Sequence, residues 1–314
     1  MELSNSLKKR FVKDHKLPIT VLQEPYFSYY IDLLDPYYDT YRLLSQYKDY
    51  CNRFETQEGI FEDFQNVTQT IIDCVKSTNA YELFTRFDMS SYQTSNPVSK
   101  TSFYNGDSPS IRNFLSIDLK KANFQALKFF DPELVLGYDT YEGFIEKAYG
   151  DSIHPHVKNS KQIRQVIFGN LNPKRQQTIQ KYLMGKMVDV LMDMGITEDD
   201  LMISSPDEII VDDMDETIDI DKIIQNYPHE IEFHMDHFML YRIHEDYNYF
   251  VKIYTDHSRL DGDLGVNANF YELKNVPAPH IAETIKYLFN KEVNEYDKTF
   301  YMEGRLAQYK DNLF

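Results

Sequence analysis

Apolar and aromatic side chains recur every three to four positions through the first hundred residues, most plainly in YFSYYIDLL and YDTYRLLSQYKDY, and that period predicts amphipathic helices. The spacing changes at residue 114. Residues 114–117 read as a short apolar strand that delivers Asp118 at its end and gives way to a helical stretch, KKANFQALKFF. Helical periodicity returns in YDTYEGFIEKAYG and SKQIRQVIFG, and again after NLNP in KRQQTIQKYLMGKMVDVLMDMG, with Pro173 expected to break or kink the helix. LMISSPDEIIV reads as two short strands, 201–203 and 209–211, around a Ser-Ser-Pro turn, with Asp207 and Glu208 just after it. HEIEFHMDHFMLYRI and YNYFVKIYTDH are strand-like, and the stretch from Pro277 through AETIKYLFNKEV is helical again.

The predicted class is therefore α+β. Residues 90–110 are rich in Ser, Asn, Gly and Pro and mark a boundary. Three regions are expected: a helical, tyrosine-rich region over 1–110, a sheet-forming region over 111–260, and a helical region over 261–314. At 314 residues the chain is longer than one typical core supports, and 42% hydrophobic residues supply ample interior. Its dense tyrosines are expected to pack a core or an interface in preference to stacking on bases. Two cysteines are too few for a disulfide framework, which points to a reducing, intracellular compartment. The N-terminal segment lacks the apolar run of a signal peptide, and no stretch approaches the length of a membrane span. A soluble, cytoplasmic protein without a membrane partner is expected.

Charge adds a second pattern. The net charge of −17 opposes broad adhesion to nucleic acid, so any phosphate contact must be local. Residues 152–188 hold seven basic side chains (Lys158, Lys161, Arg164, Lys174, Arg175, Lys181 and Lys186) and no acid. Residues 189–221 hold thirteen acids and no Lys or Arg. Two solvated faces attracting one another would have this pattern, and so would a triphosphate-binding segment facing a metal-binding one.

Carboxylates held close repel unless a cation lies between them, so an acidic pair at a hairpin tip asks for a metal. Asp118 and Asp207 are the candidate ligands of two magnesium ions, with manganese as a substitute, and Glu208 supports them. The basic segment, with Lys161 and Arg164 foremost and Lys174 and Arg175 behind them, is the candidate binder of a triphosphate.

Three motifs carry a resemblance. SIDLKKANFQAL resembles motif A of family A and family B DNA polymerases, in which a strand ends in a metal-binding aspartate. KQIRQVIFG resembles motif B of the fingers, with Phe168-Gly169 as the aromatic-glycine pair and Arg164 and Lys161 before it. SSPDEIIV resembles motif C, closest to the family A form. The motifs occur in the order A, B, C, and the resemblance covers about residues 111–275. It implies a palm over 111–260 with short helical fingers inserted at about 140–195, and a thumb-like region after it. It also implies a primer-template and nucleoside triphosphates as partners, with DNA replication as the setting and a replication protein as a further partner. The strand YFVKIYTDH resembles the basic strand of family B, which gives Lys252 a role at nucleic-acid phosphates. Asn123 stands where these families screen the sugar 2'-hydroxyl, and Pro206 replaces the family A histidine of motif C. The reduced size points to a phage or other mobile element.

The expected activity is nucleotidyl transfer to a 3' end. Two alternatives stand beside it: a palm-derived protein that binds nucleic acid or a replication partner without catalysis, and a metal-dependent nuclease using the same carboxylates. His229, His234 and His237 are not expected to converge on a metal, because alternation along a strand puts His234 and Asp236 on one face and His237 on the other. His154 and His156 read as loop residues. No P-loop or dinucleotide fingerprint is present.

Overall fold

A computed structural model describes residues 2–94, 103–105, 112–150, 153–244, 246–254 and 270–314. Among these residues the chain is α+β, with twelve α-helices and an antiparallel sheet of six strands. Two compact units interleave along the sequence. The first comprises Met1–Ile71, Tyr149–Ile167 and Asn275–Phe314, and the second Ile72–Ala148 and Phe168–Lys274. The boundaries expected at 110/111 and 260/261 lie outside the described residues. Elements are numbered along the whole chain.

The first unit is built on α1 (Asn5–His15), α2 (Tyr26–Tyr38) and α3 (Thr40–Cys51), together with the first part of α4 (Gln57–Lys76). Ser4 caps α1 by accepting the Leu7 N–H, and Lys16, in the left-handed region, ends it by donating to Lys13 and Val12 carbonyls. Thr40 Oγ1 donates to the Ile31 carbonyl at 2.6 Å, which folds α3 back beside α2. The regular aromatic spacing of these helices ends in the core: Phe11, Phe27, Tyr30 and Tyr47 are all buried. The short helix α8 (Pro155–Asn159) packs on α3. His154 is its N-cap, accepting the His156 N–H at 3.1 Å, and Pro155 occupies the first turn, so this pair of histidines lies at a helix start and not in a loop.

A buried polar chain crosses this unit. Arg10 donates to Asp14 at 2.7 Å, His156 Nε2 meets the other Asp14 oxygen at 3.2 Å, and His156 Nδ1 lies 3.3 Å from His15 Nε2. Burial pushes His15 down to about 4, with His156, Arg42 and Lys161 acting in the same direction and Asp14 against it. Burial likewise lowers His156, although Asp14 opposes the shift. The unfolded chain then binds protons that the folded unit refuses. The contribution His15 makes to stability is complete above the ordinary imidazole value near 6.5 and is lost as pH falls from there towards 4. Replacing His15 by Gln is expected to flatten that slope, as read from urea unfolding midpoints measured at successive pH values between 7 and 4.

The second unit carries the sheet. Strand β1 (Arg112–Leu119) leads through α6 (Ala122–Phe130), α7 (Tyr141–Tyr149) and α10 (Pro173–Asp193) to the hairpin β2 (Leu201–Ser204) and β3 (Glu208–Asp212). Helix α11 (Ile220–Asn226) then connects to β4 (Phe233–Arg242), and β5 (Phe250–Tyr254) and β6 (Phe270–Lys274) extend the edge. The spatial order is β2-β3-β1-β4-β5-β6. Its first four strands form a split β-α-β arrangement, in which the hairpin and β4 pair on either side of β1. A strand at the centre of such a sheet is covered on both faces, and Phe114, Leu115, Ser116 and Ile117 are all fully buried.

Alternation sorts β1 into two faces. Phe114, Ser116 and Asp118 share one of them. There Phe114 stacks on Phe238 at 5.5 Å and meets the edge of Phe103 at 5.0 Å, within a cluster that also holds Ile203, Ile210, Phe250 and Tyr254. Pro173 starts α10 instead of kinking it, since its missing N–H costs nothing in a first turn. Within α10, a Cβ at Gly185 would lie 2.4 Å from Thr94 Cγ2. Gly185→Ala is therefore expected to lower the thermal melting point, against the gain of about 1 kcal/mol that Ala brings to a helix interior.

The C-terminal segment departs from the helical expectation. Strand β6 completes the sheet, α12 (Ile281–Leu288) is only eight residues long, and β7 (Thr299–Met302) with β8 (Arg305–Gln308) forms a separate hairpin. Tyr29 on α2 reaches Asp297 at 2.5 Å, and Tyr26 and Tyr29 pack on Tyr296, which ties this segment to the first unit. Among the described residues no helix is long and apolar enough to cross a membrane.

Candidate active site

The end of β1 and the turn of the β2–β3 hairpin meet at one point of the second unit. In the ladder between β1 and β3, Asp118 lies directly opposite Glu208, and in the ladder with β4 it lies opposite His234. Directly opposed residues project to the same face, so Asp118, Glu208 and His234 stand on the face that also carries Ser116 and Asp236. His237 takes the other face, where it meets Asp213 at 2.9 Å, and His229 sits among Phe129, Tyr182 and Tyr227. The histidines do not converge, as alternation required.

Asp207 is exposed in the turn. The turn is fixed from within: Ser205 Oγ accepts the Glu208 N–H at 2.9 Å and donates to Asp207 Oδ1 at 3.0 Å, while Pro206 supplies the bend. Leu119, next to Asp118, donates its N–H to the Asp207 carbonyl at 2.9 Å, so the two aspartates belong to one hydrogen-bonded corner. Immediately beyond, the chain turns through Lys121, in the left-handed region, into α6, whose first N–H groups have no side-chain cap. Such a helix start offers donors and the positive end of a dipole to an anion. The Lys121 ammonium is held by both oxygens of Glu142 at 2.7 Å.

Glu208 is differently placed. Its Oε1 receives the Lys252 ammonium at 3.0 Å and lies 3.5 Å from Ser116 Oγ. Lys252 is only 1% exposed, with the Phe238 ring 4.4 Å from its ammonium. Burial pulls Lys252 below the usual lysine range, opposed by Glu208 and Glu272. Burial would raise Glu272, but Lys274 and Lys252 outweigh it and hold that carboxyl below its usual range. An ammonium so deeply placed does not reach a phosphate, and the nucleic-acid contact expected of Lys252 is replaced by an internal ion pair.

The remaining predicted residues fall in both units. Lys161 and Arg164 belong to the first unit, on the part of α9 (Lys161–Gly169) that precedes the division, whereas Phe168 and Gly169 belong to the second. Phe168 is a core side chain packed on Tyr141 and Phe144, so it is not available to a nucleotide. Arg175 donates to the Phe87 carbonyl at 2.7 Å, and Lys174 is exposed at the start of α10. Asn123, in the first turn of α6, accepts a hydrogen bond from Gln180 of α10 at 2.8 Å. Gln180 is a site neighbour that sequence reading missed.

Among the described residues no group of three or more His, Cys, Asp or Glu side chains forms a ready-made metal cage. The donor set still fits magnesium, which is commonly held by one or two carboxylates and completed by water and substrate phosphates. Asp118 and Asp207, whose backbones are joined through the Leu119 N–H, would be the two carboxylates of such a set. No protein-family model matches the chain, and comparison with curated proteins and with solved structures finds no match.

Proposed function

We propose that the second unit is a polymerase-like palm that transfers nucleotides to a nucleic-acid 3' end. The observation that carries this reading is the split β-α-β sheet, which sets Asp118 of β1 opposite the start of β3 and ties the neighbouring turn residue Asp207 to Leu119. Magnesium, bound by Asp118 and Asp207, would activate an attacking hydroxyl and stabilise a leaving pyrophosphate. The protein's own part is positional. Ser205 and Pro206 hold the turn, Leu119 locks the turn to β1, and the uncapped start of α6 presents N–H donors to phosphate oxygens. Asn123, fixed by Gln180, stands beside those donors in the same first turn of α6.

The test is single-nucleotide extension of a labelled primer on a template, with magnesium or manganese and each triphosphate in turn. Extension by one residue supports the reading. Shortening of the labelled strand assigns the same carboxylates to a nuclease, and binding without either reaction assigns the protein to the non-catalytic class.

A further inference from the structure

Asp118 has two acidic neighbours, and the structure gives them opposite surroundings. Glu208, directly across the ladder, meets a lysine ammonium that is almost wholly withdrawn from solvent. That ammonium is held over the Phe238 ring at 4.4 Å, and Glu272 and Lys274 form a further ion pair on the adjoining strand at 2.6 Å. Asp207 lies in the exposed turn, where Ser205 Oγ donates to its Oδ1 at 3.0 Å. A buried ammonium that gives up a hydrogen-bonded carboxylate loses compensation that a more distant charge such as Glu272 only partly supplies, so the Lys252–Glu208 pair is costly to break. A second, divalent cation at the same carboxylate would face that fixed positive charge at short range.

We infer that Lys252 is a positioning residue that withholds Glu208 from metal and so makes Asp207 the partner of Asp118. The assignment rests on the nucleotidyl-transfer reading of this corner. It gives an internal function to a lysine whose strand looks, in sequence, like a nucleic-acid contact.

The experiment is titration of the full-length protein with manganese alone, followed by the loss of its free-ion electron paramagnetic resonance signal, with circular dichroism confirming that each variant is folded. D118N and D207N are each expected to weaken manganese binding by about tenfold or more, the scale on which metal sites respond to altered carboxylates. E208Q is expected to change it by less than about twofold. K252R retains wild-type binding, whereas K252M frees Glu208 and tightens binding several-fold, and adding E208Q to K252M removes that gain. E208Q weakening manganese as much as D207N overturns the assignment alone. D118N and D207N leaving manganese binding unchanged overturns the metal reading of the whole corner. Because E208Q by itself separates these outcomes, the result does not depend on K252M folding.

Discussion

Asp118→Asn is expected to reduce nucleotide incorporation by on the order of 10³-fold while leaving the circular dichroism spectrum and the melting point close to wild type. The size of the effect follows from the chemistry. An amide keeps the shape of the carboxylate and loses its charge, so the corner could no longer neutralise a divalent cation beside a developing pyrophosphate. Stability should change little, because Asp118 is only partly buried near the end of β1 and Asn keeps its shape. Asp207→Asn is expected to match it in activity. Its turn should survive, since Asn can accept the Ser205 hydrogen bond as Asp207 does. Steady-state primer extension, with each variant's melting curve beside it, checks both. Retained incorporation in either variant would remove the carboxylate corner from the mechanism.

Phe114→Ala is expected to be the most damaging core substitution in the second unit, at about 3–5 kcal/mol. Phe114 is fully buried in the central strand, stacked on Phe238 and edged by Phe103, so truncation leaves a cavity that a central strand cannot close. It also stands four residues before Asp118 on the same face, so loosening β1 there should carry into the corner. Urea unfolding followed by circular dichroism measures the effect, which suits a chain without tryptophan. A loss under about 1 kcal/mol would show that the aromatic cluster does not hold the sheet.

The central strands were legible because their signals are local. The apolar run before Asp118 and the two apolar runs around Ser205-Pro206 produced β1, β2 and β3 within one or two residues of their ends, and the N-terminal aromatic period produced helices. The adjacency of Asp118 to the hairpin follows from pairing over nearly ninety residues of separation, and only the motif order pointed to it. Other features were written in the sequence but outweighed. Ile163, Ile167 and Phe168 already form a buried helical stripe, which marks Phe168 as core before any nucleotide role. The hairpin of β7 and β8 had its signal in Glu303-Gly304, both at positive φ, between two four-residue strands. His154-Pro155 had the form of a helix start.

Lys252 is the instructive case. In FVKIY, alternation places it with Phe250 and Tyr254, the aromatic side of the strand, and a lysine there is either an intruder or a member of a buried pair. Its partner lies on a strand that is three places away in the sheet, so no window of sequence around Lys252 contains it. The charge blocks are read differently once the units are known. Their members are divided between the two units, and some take partners within their own unit, such as Arg175 with the Phe87 carbonyl and Lys186 with Asp189 three residues on.

The most direct test of the central claim is a crystal of the protein grown with manganese, a primer-template and a non-hydrolysable nucleoside triphosphate, measured for anomalous scattering. The account predicts manganese held by the Asp118 and Asp207 carboxylates, with the triphosphate at the start of α6 and Glu208 still paired to Lys252. Manganese bound elsewhere, with the Asp118 and Asp207 corner empty and the triphosphate away from α6, would contradict it.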